Sequence, residues 1–154
     1  MDWRPSPGVL ADWETLRAIP QSPLIQVVGV GRTVVAAELT VDLVAIEVRE
    51  QGAVIYWRAR SAREAILLSA DVSVVDDRGT GYHVIPGGGS GNAEAWEGQT
   101  YFLPVPHVGT RLTITLTSFG PNDHMPLPIH IPTDRISGPW PFEVEIPSRD
   151  IRAR

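Results

Sequence analysis

The chain has no cysteine and no lysine. Without cysteine no disulfide can tie its elements together, no thiolate can hold a metal and no sulfur nucleophile is available. Without lysine there is no Schiff-base amine and no P-loop cation. All 13 basic residues are arginine, they form no cluster, and the net charge is −5, a balance that argues against nucleic acid as a partner. The stretch Met1-Asp2-Trp3-Arg4-Pro5 lacks the basic start and apolar run of a secretion signal, and no apolar run reaches the length of a membrane span. The chain as written is therefore expected in the cytosol, or outside it if such a segment has been trimmed away.

What is present is a core-forming chain of 154 residues with 43% hydrophobic content, the size of one domain. Ser6-Pro7 reads as an N-cap and first helical residue, Val9, Trp13 and Leu16 recur at helical spacing, and Pro20 stops the run. The expectation is a short amphipathic helix within an appendage spanning 1–23, ending in the linker Gln21-Ser22-Pro23. From Leu24 the period becomes that of strands. Leu24 to Val30 is a first strand, Gly31-Arg32 a turn, and Thr33 to Glu50 a long β run. Within that run the apolar phase shifts from Leu39, Val41 and Leu43 to Val44, Ile46 and Val48, which predicts a bulge or break near Leu43.

Ala53 to Arg60 supplies Trp57 as the central core aromatic, and Ile66 to Val75 follows as a strand. Asp76-Asp77-Arg78-Gly79 then has the chemistry of a hairpin turn leading back into a strand from Thr80. Pro86-Gly-Gly-Gly-Ser-Gly-Asn92 predicts a mobile loop, because glycine has the most backbone entropy to lose. Gln99 to Leu103 is a strand. In Arg111 to Ser118, Leu112, Ile114 and Leu116 face in while Thr113, Thr115 and Thr117 face out. Gly120 to Ile131 is a proline-rich excursion, Phe142 to Ile146 the closing strand, and 148–154 a charged tail. About seven to nine strands with turn signals between them predict an all-β, antiparallel sandwich over 24–147.

Asp76-Asp77-Arg78-Gly79-Thr80-Gly81-Tyr82, Gly98 with Tyr101-Phe102 and Pro104-Val105-Pro106, Leu112-Thr113-Ile114, and Ile136-Ser137-Gly138-Pro139-Trp140-Pro141-Phe142 give the chain a family likeness. It resembles bacterial immunoglobulin-like domains of unknown function, of the kind found in extracytoplasmic parts of anti-sigma-factor-like membrane proteins. The resemblance implies an immunoglobulin-like sandwich, non-catalytic, serving recognition or assembly, with no catalytic residue to carry over. The chain departs from the membrane-anchored pattern in having neither a span nor a zinc-binding anti-sigma segment.

The candidate chemistry is sparse. His124 and His130 share the proline-rich excursion with Asp123 and Asp134, but their spacing matches no zinc motif. Asp76 and Asp77 with Asn92 or Glu94 offer oxygens to calcium, yet the same residues make an ordinary turn. Ser90 stands in Gly-Gly-Ser-Gly with no nucleophile elbow around it, and Glu143 and Glu145 read as a solvated strand face rather than paired acids. No metal, no cofactor and no enzyme activity are expected. Trp3, Trp13, Trp96, Trp140 and Tyr101 raise a sugar-stacking alternative, in which Trp96 is the exposed ring. The residues expected to meet a partner, another protein or a second copy, are Trp3, Trp13, Leu16 and Trp96.

Overall fold

Alternation dictates the strands. In β7 (Arg111–Gly120) Leu112, Ile114 and Leu116 are fully buried while the threonines between them are not, and each such burial is worth about 1.5–3 kcal/mol before ordering costs. The computed structural model describes residues 7–62, 66–92, 95–120 and 135–148, except the side chains of 7–10. The other strands are β1 (Leu24–Ala36), β2 (Leu39–Arg49), β3 (Gly52–Ser61), β4 (Ser69–Asp76), β5 (His83–Gly91), β6 (Trp96–Leu103) and β8 (Ile136–Glu145). The closing strand thus starts six residues earlier than its apolar core suggests. The excursion through His124 and His130, and Asp123 and Asp134 with it, lies outside the described residues. None of the described helices is long and apolar enough to cross a membrane.

The strands form two antiparallel sheets, ordered β1-β2-β3-β6-β5 and β4-β7-β8. Setting β1 aside, β2-β3-β6-β5 and β4-β7-β8 repeat the A-B-E-D and C-F-G order of a constant-type immunoglobulin sandwich, with β1 added outside the first strand. This order corrects the hairpin expected at Asp76–Gly79. β4 pairs with β7 and β5 with β6, so the chain crosses there from one sheet to the other. The turn is closed by a side chain instead of a ladder: the Asp76 carboxylate accepts from the Arg78 amide at 2.9 Å, the Thr80 amide at 2.8 Å and the Tyr82 hydroxyl at 2.8 Å. Partial desolvation acts to raise the Asp76 carboxyl, but these bonds outweigh it and hold the group well below the usual carboxylate range.

The turn expected at Gly31-Arg32 is also a different feature. β1 runs on through it with a register shift between Gly29 and Arg32, and Gly31 takes φ 60° at the bulge. The reversal comes at Ala37-Glu38, both with positive φ (49° and 71°), the backbone of a tight hairpin without its usual glycine or asparagine. The phase shift near Leu43 is a bulge, as expected: β2 slips against β3 between Leu43 and Ala45, and Val44 is left 47% exposed on the outer face.

Between the sheets lies one main core centred on aromatics. Trp57 on β3 meets Phe119 on β7 edge to face at 5.1 Å, and Phe119 meets Trp140 on β8 at 5.2 Å. Trp57 and Phe119 stand on the strands equivalent to B and F, which in antibody domains carry the inter-sheet disulfide. Both indole N–H groups are satisfied, Trp57 by Thr100 Oγ1 at 3.3 Å and Trp140 by the Ala36 carbonyl at 3.2 Å.

The Pro86–Gly91 stretch, expected to be a mobile loop, is most of β5. A Cβ at Gly87 would sit 2.3 Å from the Tyr101 ring, at Gly89 2.4 Å from the Glu97 carbonyl, and at Gly91 2.3 Å from the Ala95 carbonyl. Close approach to the neighbouring strand therefore demands glycine here, and the ladder with β6 repays the entropy of ordering it.

Helix α1 (Pro7–Gln21) covers part of the outer face of the larger sheet. Its anchor is Ile19, fully buried with Val54, Ile85 and Tyr101, and Leu16 packs beside it. Pro20 lies in the last turn rather than ending the helix. The exit is fixed by hydrogen bonds: Ser22 Oγ donates to the Ile19 carbonyl at 2.7 Å, and Arg49 Nη1 donates to the Ser22 carbonyl at 2.7 Å.

Candidate functional site: a groove on the outer face of the larger sheet

The sheet's outward residues fall into rows across the strands. One row holds Glu47, Val54, Tyr101 and Ile85, and α1 covers most of it. The next holds Ala45, Tyr56, Gln99 and Gly88, and the one beyond it Asp42, Arg58, Glu97 and Ser90. Where α1 ends its cover, these two rows and the extruded Val44 enclose an open groove of about 550 Å³. Its far end is bounded by Gly87, Gly88 and Gly89 on β5, where the absence of side chains leaves the hollow unfilled, and by Ser90 beyond them. Strand spacing makes the groove about 14 Å long across four strands, and two same-facing positions make it about 7 Å wide.

The wall toward α1 is polar and held. The Tyr56 hydroxyl is pushed up to about 12, first by burial and then by the charge and hydrogen bond of Glu47. Glu47 in turn accepts from Arg49 Nε at 2.9 Å. Tyr101 donates to Gln99 Oε1 at 2.8 Å, and burial, with Glu47 nearby, raises its pKa too. On the opposite wall stand Arg58 and Glu97, with Asp42 beside them in the same row. Asp42 is engaged by Arg60 at 3.5 Å and by the Thr33 hydroxyl at 2.5 Å. Arg58, in register between Asp42 and Glu97, forms no ion pair or hydrogen bond among the described residues, and neither does Glu97. A guanidinium, a carboxylate, a carboxamide nitrogen and two hydroxyls thus face one hollow, a set suited to orienting a ligand by charge and hydrogen bonds.

The residues singled out from sequence lie elsewhere. Leu16 is half-buried against its own sheet, Trp13 is half-buried on the same helix, and Trp3 lies outside the described residues. Trp96, expected to be exposed, is half-buried against the main core, and Trp140 is inside it. Ser90 is an exposed residue on an ordered strand. Asp76 is spent on its turn, the Arg111 amide donates to Asp77 at 3.3 Å, and Glu94 lies outside the described residues. Among the described residues no group of three or more potential metal ligands comes together.

Tyr56, Arg58, Glu97 and Gln99 were missed. The sequence carried half of the signal, the alternation that turns Tyr56 and Arg58 away from Trp57; the other half is the register of Trp57 with Gly98, which the sheet pairing supplies. No protein-family model, curated protein or solved structure matches the chain.

Proposed function

We propose that this domain is a non-catalytic immunoglobulin-like module that works by recognising another protein, through the outer face of its five-stranded sheet. The observation carrying this reading is the groove beside α1, with Arg58 and Glu97 at its wall, unpaired among the described residues, and Val44 extruded at its end. The likeness to bacterial immunoglobulin-like domains points the same way. The sugar-binding alternative draws less support, because Trp57 and Trp140 are core residues and Trp96 packs on the core, which leaves Tyr56 as the aromatic wall of the groove.

The test is retention of proteins from the native host on the immobilised full chain and on Ser90→Arg, which puts a long side chain into the groove from an exposed position. A protein retained by the parent and lost from Ser90→Arg, with matching melting curves, is the expected result. Retention that Ser90→Arg leaves intact, or binding on a glycan array with no protein retained, would overturn the proposal.

A further inference from the structure

We infer that the groove takes an extended polypeptide segment of about four residues, lying across the strands, with an acidic side chain against Arg58 and a basic one against Glu97. This rests on the protein-recognition reading above and names the kind of segment recognised.

The dimensions come first. A trough of about 14 Å admits about four extended residues at roughly 3.3 Å each, and its width suits one chain rather than a helix of about 10 Å diameter. Its ends differ. At the β2 end Val44 and Ala45 present apolar surface, whereas at the β5 end Gly87, Gly88 and Gly89 let a main chain approach closely.

The charges decide the rest. Arg58 and Glu97 are directly opposite on neighbouring antiparallel strands, the arrangement in which opposite charges ordinarily pair. They do not pair with each other, and Asp42, the other carboxylate in register with Arg58, is held by Arg60 and Thr33. A small anion drawn to Arg58 would meet Glu97, and a small cation drawn to Glu97 would meet Arg58. A ligand carrying both signs satisfies both, and an exposed pair would give up little by parting for it. The Gln99 amide nitrogen and the Ser90 hydroxyl remain to meet the segment's own carbonyl and amide groups, as an ordered extended peptide needs.

The probe is a displayed library of random heptapeptides, selected in parallel on the full chain, on Arg58→Glu and on Glu97→Arg, with melting curves showing that each variant is folded. Peptides bearing both an acidic and a basic residue should be enriched on the parent. A synthetic peptide so selected should bind either variant at least ten-fold more weakly by fluorescence anisotropy, and selection on Arg58→Glu should replace the acidic residue by a basic one. No enrichment, or a selected peptide indifferent to both variants, overturns the inference. If that happens while Ser90→Arg still abolishes retention of a native protein, the extended segment is wrong and the protein-recognition reading stands; if retention is also unaffected, both fall.

Discussion

Gly98→Ala adds a single methyl group and should destabilise the domain, for a reason that involves no backbone strain. Gly98 pairs in register with Trp57, and its φ lies outside the left-handed region. The new Cβ would stand 2.1 Å from Trp57 Cζ2 and 2.6 Å from Cε2 and Cη2. The indole has little room to retreat, since it is 1% exposed, bonded to Thr100 and set edge to face against Phe119. Overpacking of this kind costs about 1–3 kcal/mol, and replacing a strand glycine returns about 0.5–1 kcal/mol. With each range taken at its middle, the net loss should be about 1 kcal/mol, which for a domain this size lowers Tm by about 2–4 °C. Urea denaturation followed by far-UV circular dichroism reads it directly. Trp57→Phe removes the atoms in the way and leaves a void, so in that background Gly98→Ala should be neutral or stabilising. A variant as stable as the parent, or a double-mutant cycle additive within about 0.5 kcal/mol, would refute the steric account.

Three further outcomes follow from the helix and the titrating groups. Ile19→Ala should cost about 2–4 kcal/mol in thermal or urea unfolding, and more than Trp13→Ala, because Ile19 is the fully buried anchor of α1; an unchanged melt would detach the helix from the fold. Asp76→Asn should destabilise at neutral pH. The Asp76 carboxyl lies below its ordinary 3.8 in the folded chain, so its contribution is present above that value and is lost as pH falls, and the parent and variant should converge in acid. A gap between them that persists unchanged into strong acid would contradict this. All three tyrosines are raised, Tyr56 and Tyr82 to about 12 and Tyr101 above its usual value, each first by burial. Their stabilising contribution is complete below about 10 and is lost as pH rises toward 12. Absorbance at 295 nm should therefore show little tyrosinate at pH 10 in the folded protein and about half in urea; equal signals would count against the packing described.

Sequence legibility followed burial on one face. The alternation of Leu112, Ile114 and Leu116 located β7, Trp57 was recognisable as the core aromatic, and the phase change at Leu43 located a bulge, because each is a local pattern imposed by one buried face. The Asp76 turn looks like a hairpin in the sequence because its local chemistry is that of a turn in either case. Whether the next strand pairs with the last one is decided by long-range pairing with β6 and β7. The glycine strand was hidden for a related reason: glycine signals freedom in isolation, while here three alternating positions mark where β6 comes too near for a Cβ. The apolar spacing of Val9, Trp13 and Leu16 marks the helix but not its anchor, since Ile19 sits beside Pro20, a residue that ordinarily stops a helical pattern. The groove was illegible until strand order placed Arg58 next to Glu97.

The β1 bulge bears on how the protein behaves when crowded. β1 is an edge strand of 13 residues with Val27 and Val35 58% and 72% exposed, a description that fits a template for amyloid-like growth. Its middle is spoiled for that purpose. The shift between Gly29 and Arg32 breaks the straight run of main-chain groups, and Arg32 turns across the gap between the sheets to donate to the Glu143 carbonyl at 2.6 Å. Another β1 laid alongside would meet two short, offset stretches in place of one long ladder. Concentrated solutions should therefore stay clear, and the combination of Arg32→Val with deletion of Gly31, which straightens the strand and removes its charge, should be the change that lets them set into fibrils.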